Sequence, residues 1–393
     1  MATSLLDESP FVRLAALLGD EAPGMEPINL SVGEPHHPLP AVIAPAFVRD
    51  VSGLGKYPAI AGLPEFRSTV ADWARRRFGL AALDADREVC ILAGSREGLL
   101  MAALTARQEF AKPAPVALLP NPFYQAYGAS AIAAGLEPVL LPADAGNGYL
   151  PSIEAVEPAI LERTVVAYFT SPSNPAGTVA SPQRMKAVAE CARRHDFLLA
   201  SDECYSEIWF DAPPAGALSA TAEHGFSNVI ALNSLSKRSS APGLRCGFAA
   251  GDRRFMKSFV RLRNLCGPQV ALPVQNAAIA AYGDETHVEE NRALYAAKFA
   301  LADELVGFWP GYRRPQGGFF LWLDVAAAED DERFALRAWR EKGLRMVPGS
   351  YFGRPGLDGV NPGAGHVRIA LVDDIDLTRD ALTRLASLLK GNG

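Results

Sequence analysis

From about Gly62 to Ala250, short apolar runs alternate with longer amphipathic stretches, and that alternation leaves few folds open. The apolar runs predict strands over residues 88–93, 115–119, 137–141, 164–170, 197–202, 229–232 and 244–250. Helical patterning fills 96–108, 124–134 and 182–195 between several of them. Strands that alternate with helices predict an α/β fold around a mostly parallel sheet flanked by helices, because a parallel pair needs a long crossover. In such sheets ligands bind beyond the carboxyl ends of the strands. After Gly267-Pro268 the texture changes to a long helical stretch over 289–308, a strand over 318–325, and a strand over 367–371 followed by a terminal helix. This predicts a smaller α+β domain. The expected division is an N-terminal arm and part of the small domain over 1–40, a large domain over 41–268, and a small C-terminal domain over 269–393. No internal repeat or low-complexity linker interrupts the chain.

Composition narrows the chemistry. With 49% hydrophobic residues in 393, the chain can bury a large core. A net charge of -6 lacks the basic footprint that a phosphate backbone demands, so no nucleic-acid partner is expected. The stretch from Met1 to Asp20 contains Asp7, Glu8 and Asp20 and does not read as a secretory signal. No apolar run is long enough to span a bilayer. The cysteines Cys90, Cys191, Cys204, Cys246 and Cys266 are odd in number and scattered, with no CxxC pair and no partnered histidine, which fits a reduced, cytoplasmic setting and no metal site. GxSxG, HExxH, P-loop and GxGxxG patterns are absent, which disfavours the chemistries they serve.

What remains is a set of polar residues at predicted strand ends. Lys237 stands in Asn233-Ser234-Leu235-Ser236-Lys237-Arg238-Ser239-Ser240, after a strand, with Arg245 eight positions on. Taken alone, it reads as a solvated loop lysine. Asp202 closes an apolar strand and opens Asp202-Glu203-Cys204-Tyr205; it reads either as a helix-capping acid or as a buried anion that needs a cation, such as a protonated pyridine nitrogen. Asn174, between Pro172 and Pro175, and Tyr205 could donate to a phenolic oxygen, although Asn, Pro and Gly also make ordinary turns. Gly94-Ser95-Arg96 ends a strand and starts a helix, where free N–H groups can hold a phosphate, with Ser234 and Arg245 able to complete the cradle. Tyr124 has the flat face for stacking on a pyridine ring, but also suits a core.

Taken together, and in this order along the chain, these segments resemble the fold type I enzymes of the aspartate aminotransferase superfamily, which depend on pyridoxal 5'-phosphate (PLP). The resemblance runs from Ser31-Val32-Gly33-Glu34-Pro35 through Lys56-Tyr57-Pro58 and Gly62-Leu63-Pro64 to Val367-Arg368-Ile369-Ala370. It implies that Lys237 is the Schiff-base lysine and that Asp202 pairs with the pyridine nitrogen. Asn174 and Tyr205 would contact the phenolic oxygen, and Tyr124 would stack on the ring. Ser95, the Arg96 backbone, Ser234 and Arg245 would hold the phosphate. It further implies that Arg368 grips the substrate α-carboxylate with help from the Gly33 backbone, and that Tyr57 reaches the phosphate in a neighbouring subunit, so that a homodimer shares its active sites. Asn121-Pro122-Phe123-Tyr124-Gln125-Ala126-Tyr127, Ser201 to Ile208, Ser234 to Ser239, and Asn361-Pro362-Gly363-Ala364-Gly365-His366-Val367-Arg368 look like the succinyldiaminopimelate transaminases of lysine biosynthesis.

The resemblance implies transfer of an amino group from N-succinyl-LL-2,6-diaminopimelate to 2-oxoglutarate, giving N-succinyl-2-amino-6-oxopimelate and L-glutamate. A donor with further carboxylates requires another cation, for which His36, His37, Lys56 and Arg238 are the candidates. A broad-specificity aspartate, alanine or aromatic aminotransferase, or a PLP-dependent β-lyase, would use the same cofactor residues. A non-catalytic regulator would need a DNA-binding module, and no basic N-terminal domain of that kind is present.

Overall fold

The computed structural model describes residue 5, residues 9–356 and residues 358–391. Asp7 and Glu8, which bear on the reading of the N-terminus, lie outside these. Among the described residues, the strands are β1 (Ile28–Asn29), β2 (Val89–Leu92), β3 (Val116–Asn121), β4 (Glu137–Pro142), β5 (Thr164–Thr170), β6 (Leu198–Asp202), β7 (Val229–Ser234), β8 (Gly247–Gly251), β9 (Phe320–Asp324), β10 (Leu344–Arg345), β11 (Val347–Pro348) and β12 (His366–Ala370). Seven of them form one sheet in the order β2-β8-β7-β6-β5-β3-β4. It is parallel from β7 to β4; only β8, wedged between β2 and β7, runs against its neighbours.

Both faces of this sheet are covered, and its strands divide their side chains between two cores. Val116, Leu118, Ala167 and Phe169 enter one, while Ala117, Leu119, Val166 and Tyr168 enter the other. The two-residue period of a strand makes this division, and burial on both sides is why these strands read as continuous apolar runs. A third core lies under a smaller antiparallel sheet, β11-β12-β9, where Leu321, Leu323, Val367 and Ile369 meet the helices Thr286–Val306, Asp331–Lys342 and Ile375–Lys390. The fold is thus the expected α/β architecture with a large sheet and a smaller α+β portion.

The segment before Pro40 contributes β1, which pairs in parallel with β10, and its Leu30 carbonyl accepts from the Ala370 N–H at the end of β12. The last expected strand of the large sheet begins at Gly247, three residues later than the apolar run. Pro242–Leu244 forms a short 3-10 turn, and Arg245 follows in a left-handed conformation (φ 50°, ψ 53°) that an extended strand cannot contain. No described helix is long and apolar enough to cross a membrane.

Candidate active site

The carboxyl ends of β3, β5, β6 and β7 open toward the small sheet, and a cavity of about 310 Å³ lies there, within the range of small-molecule sites. Its wall includes Gly33, Ser95, Arg96, Tyr124, Asn174, Asp202, Tyr205, Lys237, Arg245 and Arg368. Residues spread over more than 330 positions of sequence therefore meet at one point. Ser234 and Tyr57 do not line it. The Ser234 hydroxyl, at the end of β7, donates to Cys246 O (3.2 Å) and bonds to Ser236 Oγ (2.9 Å), so the hydroxyl this segment offers to the cavity is that of Ser236. Tyr57 is 95% exposed.

Asp202 is the last residue of β6 and is 7% exposed. Its Oδ2 accepts from the Tyr127 hydroxyl (2.8 Å) and its Oδ1 from the Cys204 N–H (3.2 Å). Among the described residues no cationic side chain forms an ion pair with it. Tyr127 is itself locked, stacked on Tyr168 with ring centroids 4.9 Å apart, and burial next to Asp202 holds its hydroxyl protonated far above its usual range. The next acid, Glu203, turns the opposite way. It accepts from Ala217 N (2.8 Å) and Ser201 Oγ (3.1 Å), and burial pushes its carboxyl up to about 7.

Lys237 lies in the four-residue helix Leu235–Arg238 that follows β7. Its amine bonds to the Gly33 carbonyl and sits 5.2 Å from the centre of the Phe319 ring. Burial disfavours the ammonium form and brings its pKa down to about 8. On the far side, Arg368 on β12 is sandwiched between Phe320 and Phe352, with its guanidinium carbon 4.2 Å from each ring centre. Nη2 donates to Ser31 O (2.8 Å) and Nη1 to Asn174 Oδ1 (3.3 Å); among the described residues, the buried Nε has no partner. Burial lowers this group to about 10. A buried donor left unpaired is costly, so a guanidinium in this state is set for an anionic ligand.

Gly94 caps the helix Ser95–Glu109 at φ 86°, and a Cβ on it would lie 2.3 Å from Arg245 Nη2. Only glycine lets Arg245 fold over the helix N-terminus, where N–H groups and the helix dipole favour an anion. Arg96 projects outward and donates from Nε to the Tyr124 hydroxyl (2.7 Å).

Of the expected distal cations, none lines the cavity. His36 pairs with Asp373 (2.5 Å), Lys56 is exposed, and Arg238 is buried against Glu285 (2.5 Å) and Ala281 O (2.7 Å). His37 faces a separate cleft and bonds to Asn291 and Lys298. The helical twist at 235–238 explains Arg238: successive residues diverge by about 100°, so the neighbour of Lys237 cannot face the same way. Sequence reasoning missed Tyr127 and Cys204 as partners of Asp202. Tyr127's place three residues after Tyr124 was the available signal.

A family model for aminotransferase class I and II matches residues 25–385. The LL-diaminopimelate aminotransferase of Desulforudis audaxviator is 34% identical over 387 residues, spanning 96% of this chain and 95% of that protein. Among solved structures, an aminotransferase from Neisseria meningitidis superposes with a TM-score of 0.92 at 37% identity, covering 98% of this chain and 99% of the other. An aspartate aminotransferase mutant from Thermus thermophilus gives a TM-score of 0.85 at 25% identity, with 98% of each chain covered.

Proposed function

The chain belongs to the class I and II aminotransferase family, whose members use pyridoxal 5'-phosphate, and from that premise we propose that Lys237 is the residue that carries the cofactor and moves the proton. The observation that carries this reading is the pairing, in one cavity, of a lysine amine lowered to about 8 with a buried carboxylate that has no cationic side-chain partner among the described residues. The site fits the group. Asp202 is an anion awaiting a cation such as a pyridinium nitrogen, and the Gly94–Arg245 cradle has the charge and free N–H groups for a phosphate.

When bound, the cofactor supplies an electron sink for charge that builds at the donor's Cα. Lys237 would anchor it through its amine and, as the free amine, would be the base that takes the donor's Cα proton and delivers it to the cofactor carbon on the far side of the imine nitrogen. Asp202, steadied by Tyr127, would hold the ring nitrogen protonated, and Tyr124 would stack on the ring. Asn174 spends its carbonyl oxygen on Arg368 and so has its amide N–H free for the phenolic oxygen, with Tyr205 beside it. Ser95, the Arg96 N–H, Ser236 and Arg245 hold the phosphate, with Ser234 fixing the Ser236 hydroxyl. Arg368 binds the α-carboxylate in a fixed plane, and the Gly33 backbone closes that end. The exposure of Tyr57 supports a role in a second copy's site, and hence a homodimer.

For the substrate, we propose N-succinyl-LL-2,6-diaminopimelate as amino donor and 2-oxoglutarate as acceptor. The resemblance of the motifs around Asn121, Asp202, Lys237 and Arg368 supports it. A second reading, unmodified LL-diaminopimelate as donor, is favoured by the printed names of relatives 30–34% identical to this chain. A coupled assay of glutamate formation across both donors, aspartate, alanine, kynurenine and aromatic amino acids decides between them. A marked preference for the succinylated donor supports the first reading, and preference for the free diamine replaces it with the second. Equal turnover of unrelated donors removes both.

A further inference from the structure

The four-residue helix bearing Lys237 is too short to satisfy its own carbonyls, since the last turn of any helix leaves them without intrahelical donors. Two of them find a donor elsewhere. Asn291, 7% exposed on the helix Thr286–Val306, gives its Nδ2 to Lys237 O (3.1 Å) and Arg238 O (3.2 Å). That fixes the amide's orientation, so Oδ1 must accept, and it does so from Ser240 Oγ (3.1 Å) and His37 Nδ1 (2.6 Å). With its proton on Nδ1, His37 turns a bare Nε2 to the buried Lys298 amine at 2.6 Å, and Lys298 also reaches Leu371 O (3.3 Å), just beyond β12. Every member of this chain of bonds has one consistent donor and acceptor assignment.

We propose that Asn291, held by His37, is a positioning residue that caps the Lys237 helix and ties it to the segment that forms the opposite wall of the cavity. The geometry closes a loop. Residues 31–37 give Gly33 O to the Lys237 amine, Ser31 O to Arg368, and His37 to the amide that holds the Lys237 main chain. The reactive lysine and the carboxylate-binding arginine are therefore referenced to one stretch of backbone. The Asn291 amide fixes the main chain at Lys237 directly, and small displacements of a catalytic group cost rate steeply. This inference rests on the reading of Lys237 as the cofactor-bearing lysine.

The test uses the full-length holoenzyme and two readouts: steady-state kinetics with the preferred donor, and the pH midpoint of the visible cofactor band. Asn291→Ala is expected to lower kcat by roughly 10- to 100-fold with KM changed by less than about threefold, and to move the midpoint by at least about half a pH unit. Should that variant not fold, Asn291→Leu gives the same reading, because it keeps the volume and removes the amide's hydrogen bonds without adding a charge. His37→Ala should follow Asn291→Ala. His37→Asn, whose amide nitrogen can stand where Nδ1 stood, should recover to within about threefold of the parent. A lowered Tm with unchanged kcat and midpoint would make Asn291 merely structural and overturn the proposal. Borohydride reduction keeps the two failures apart: if it leaves residue 237 of the parent holoenzyme without a cofactor adduct, the assignment of Lys237 itself falls.

Discussion

The wall of the cavity built from the large sheet and the wall built around the small one treat their charged groups differently. On the first, Asp202 already accepts from Tyr127 and from the Cys204 backbone, and Tyr127 is pinned by Tyr168. On the second, Arg368 is held in plane by Phe320 and Phe352, yet its buried Nε has no partner among the described residues. A group whose hydrogen bonds are largely made suits a ligand that stays, because little must be rebuilt when it binds. A pre-oriented fork with spare donor capacity suits one that arrives and leaves each turnover, because the missing bond is supplied by the ligand. Lys237 stands between them, its main chain on the large sheet's side and its amine bonded to Gly33 on the other.

Four measurements can break or sharpen that contrast. Lys237→Ala removes anchor and base together, and turnover should drop by at least about 10⁴-fold, measured by single-turnover assay. Near-parental turnover would end the account of both walls. Arg368→Ala should cost about 100- to 1000-fold in kcat/KM for amino acid donors, carried mainly by KM, while cofactor retention on gel filtration stays near that of the parent. If the cofactor is lost instead, the division between a resident and a transient ligand is wrong.

The third measurement concerns pH. On the proposed reading the free amine of Lys237 would be the nucleophile toward the cofactor's aldehyde, and burial lowers its pKa to about 8. Below that value the ammonium form dominates and is unreactive; above it the amine is free. In cofactor-stripped protein the rate of forming a borohydride-trappable adduct at Lys237 should therefore rise about tenfold from pH 7 to pH 9 and then level off. A rise that continues to pH 10.5 would mean that the site does not lower the amine. Smallest of all, Tyr127→Phe leaves one oxygen of a buried carboxylate short of a donor, and kcat should fall by about five- to tenfold. An unchanged kcat would show that Asp202 needs no support from its own wall.

Much of the large sheet was legible because strands buried on two faces are apolar at every position, and β5 matches the expected range residue for residue. The late start of β8 was not, because the turn at Pro242–Leu244 and the left-handed Arg245 are forced by how Arg245 folds over Gly94, a contact between residues 151 positions apart. The same holds for Ser234 and Ser236. Both are small hydroxyl residues beside Lys237, and only the direction in which the helix leaves β7 decides which of them faces the cavity. The candidates for distal cations failed for this reason too: nearness in sequence to Lys237 or Gly33 says little about facing the cleft when a helical turn rotates each residue away from the last.

By itself, the sequence determined the α/β alternation and the strand ends at which polar residues stand, because period and residue chemistry are local properties; the lysine, the acid and the arginine were singled out by family resemblance. Tertiary structure alone decided that Tyr127 serves Asp202, that Asn291 caps the helix of Lys237, and that Arg368 waits with an unpaired donor. Each of those is a relation between side chains from distant elements, and its energy exists only once the core has brought them within bonding distance.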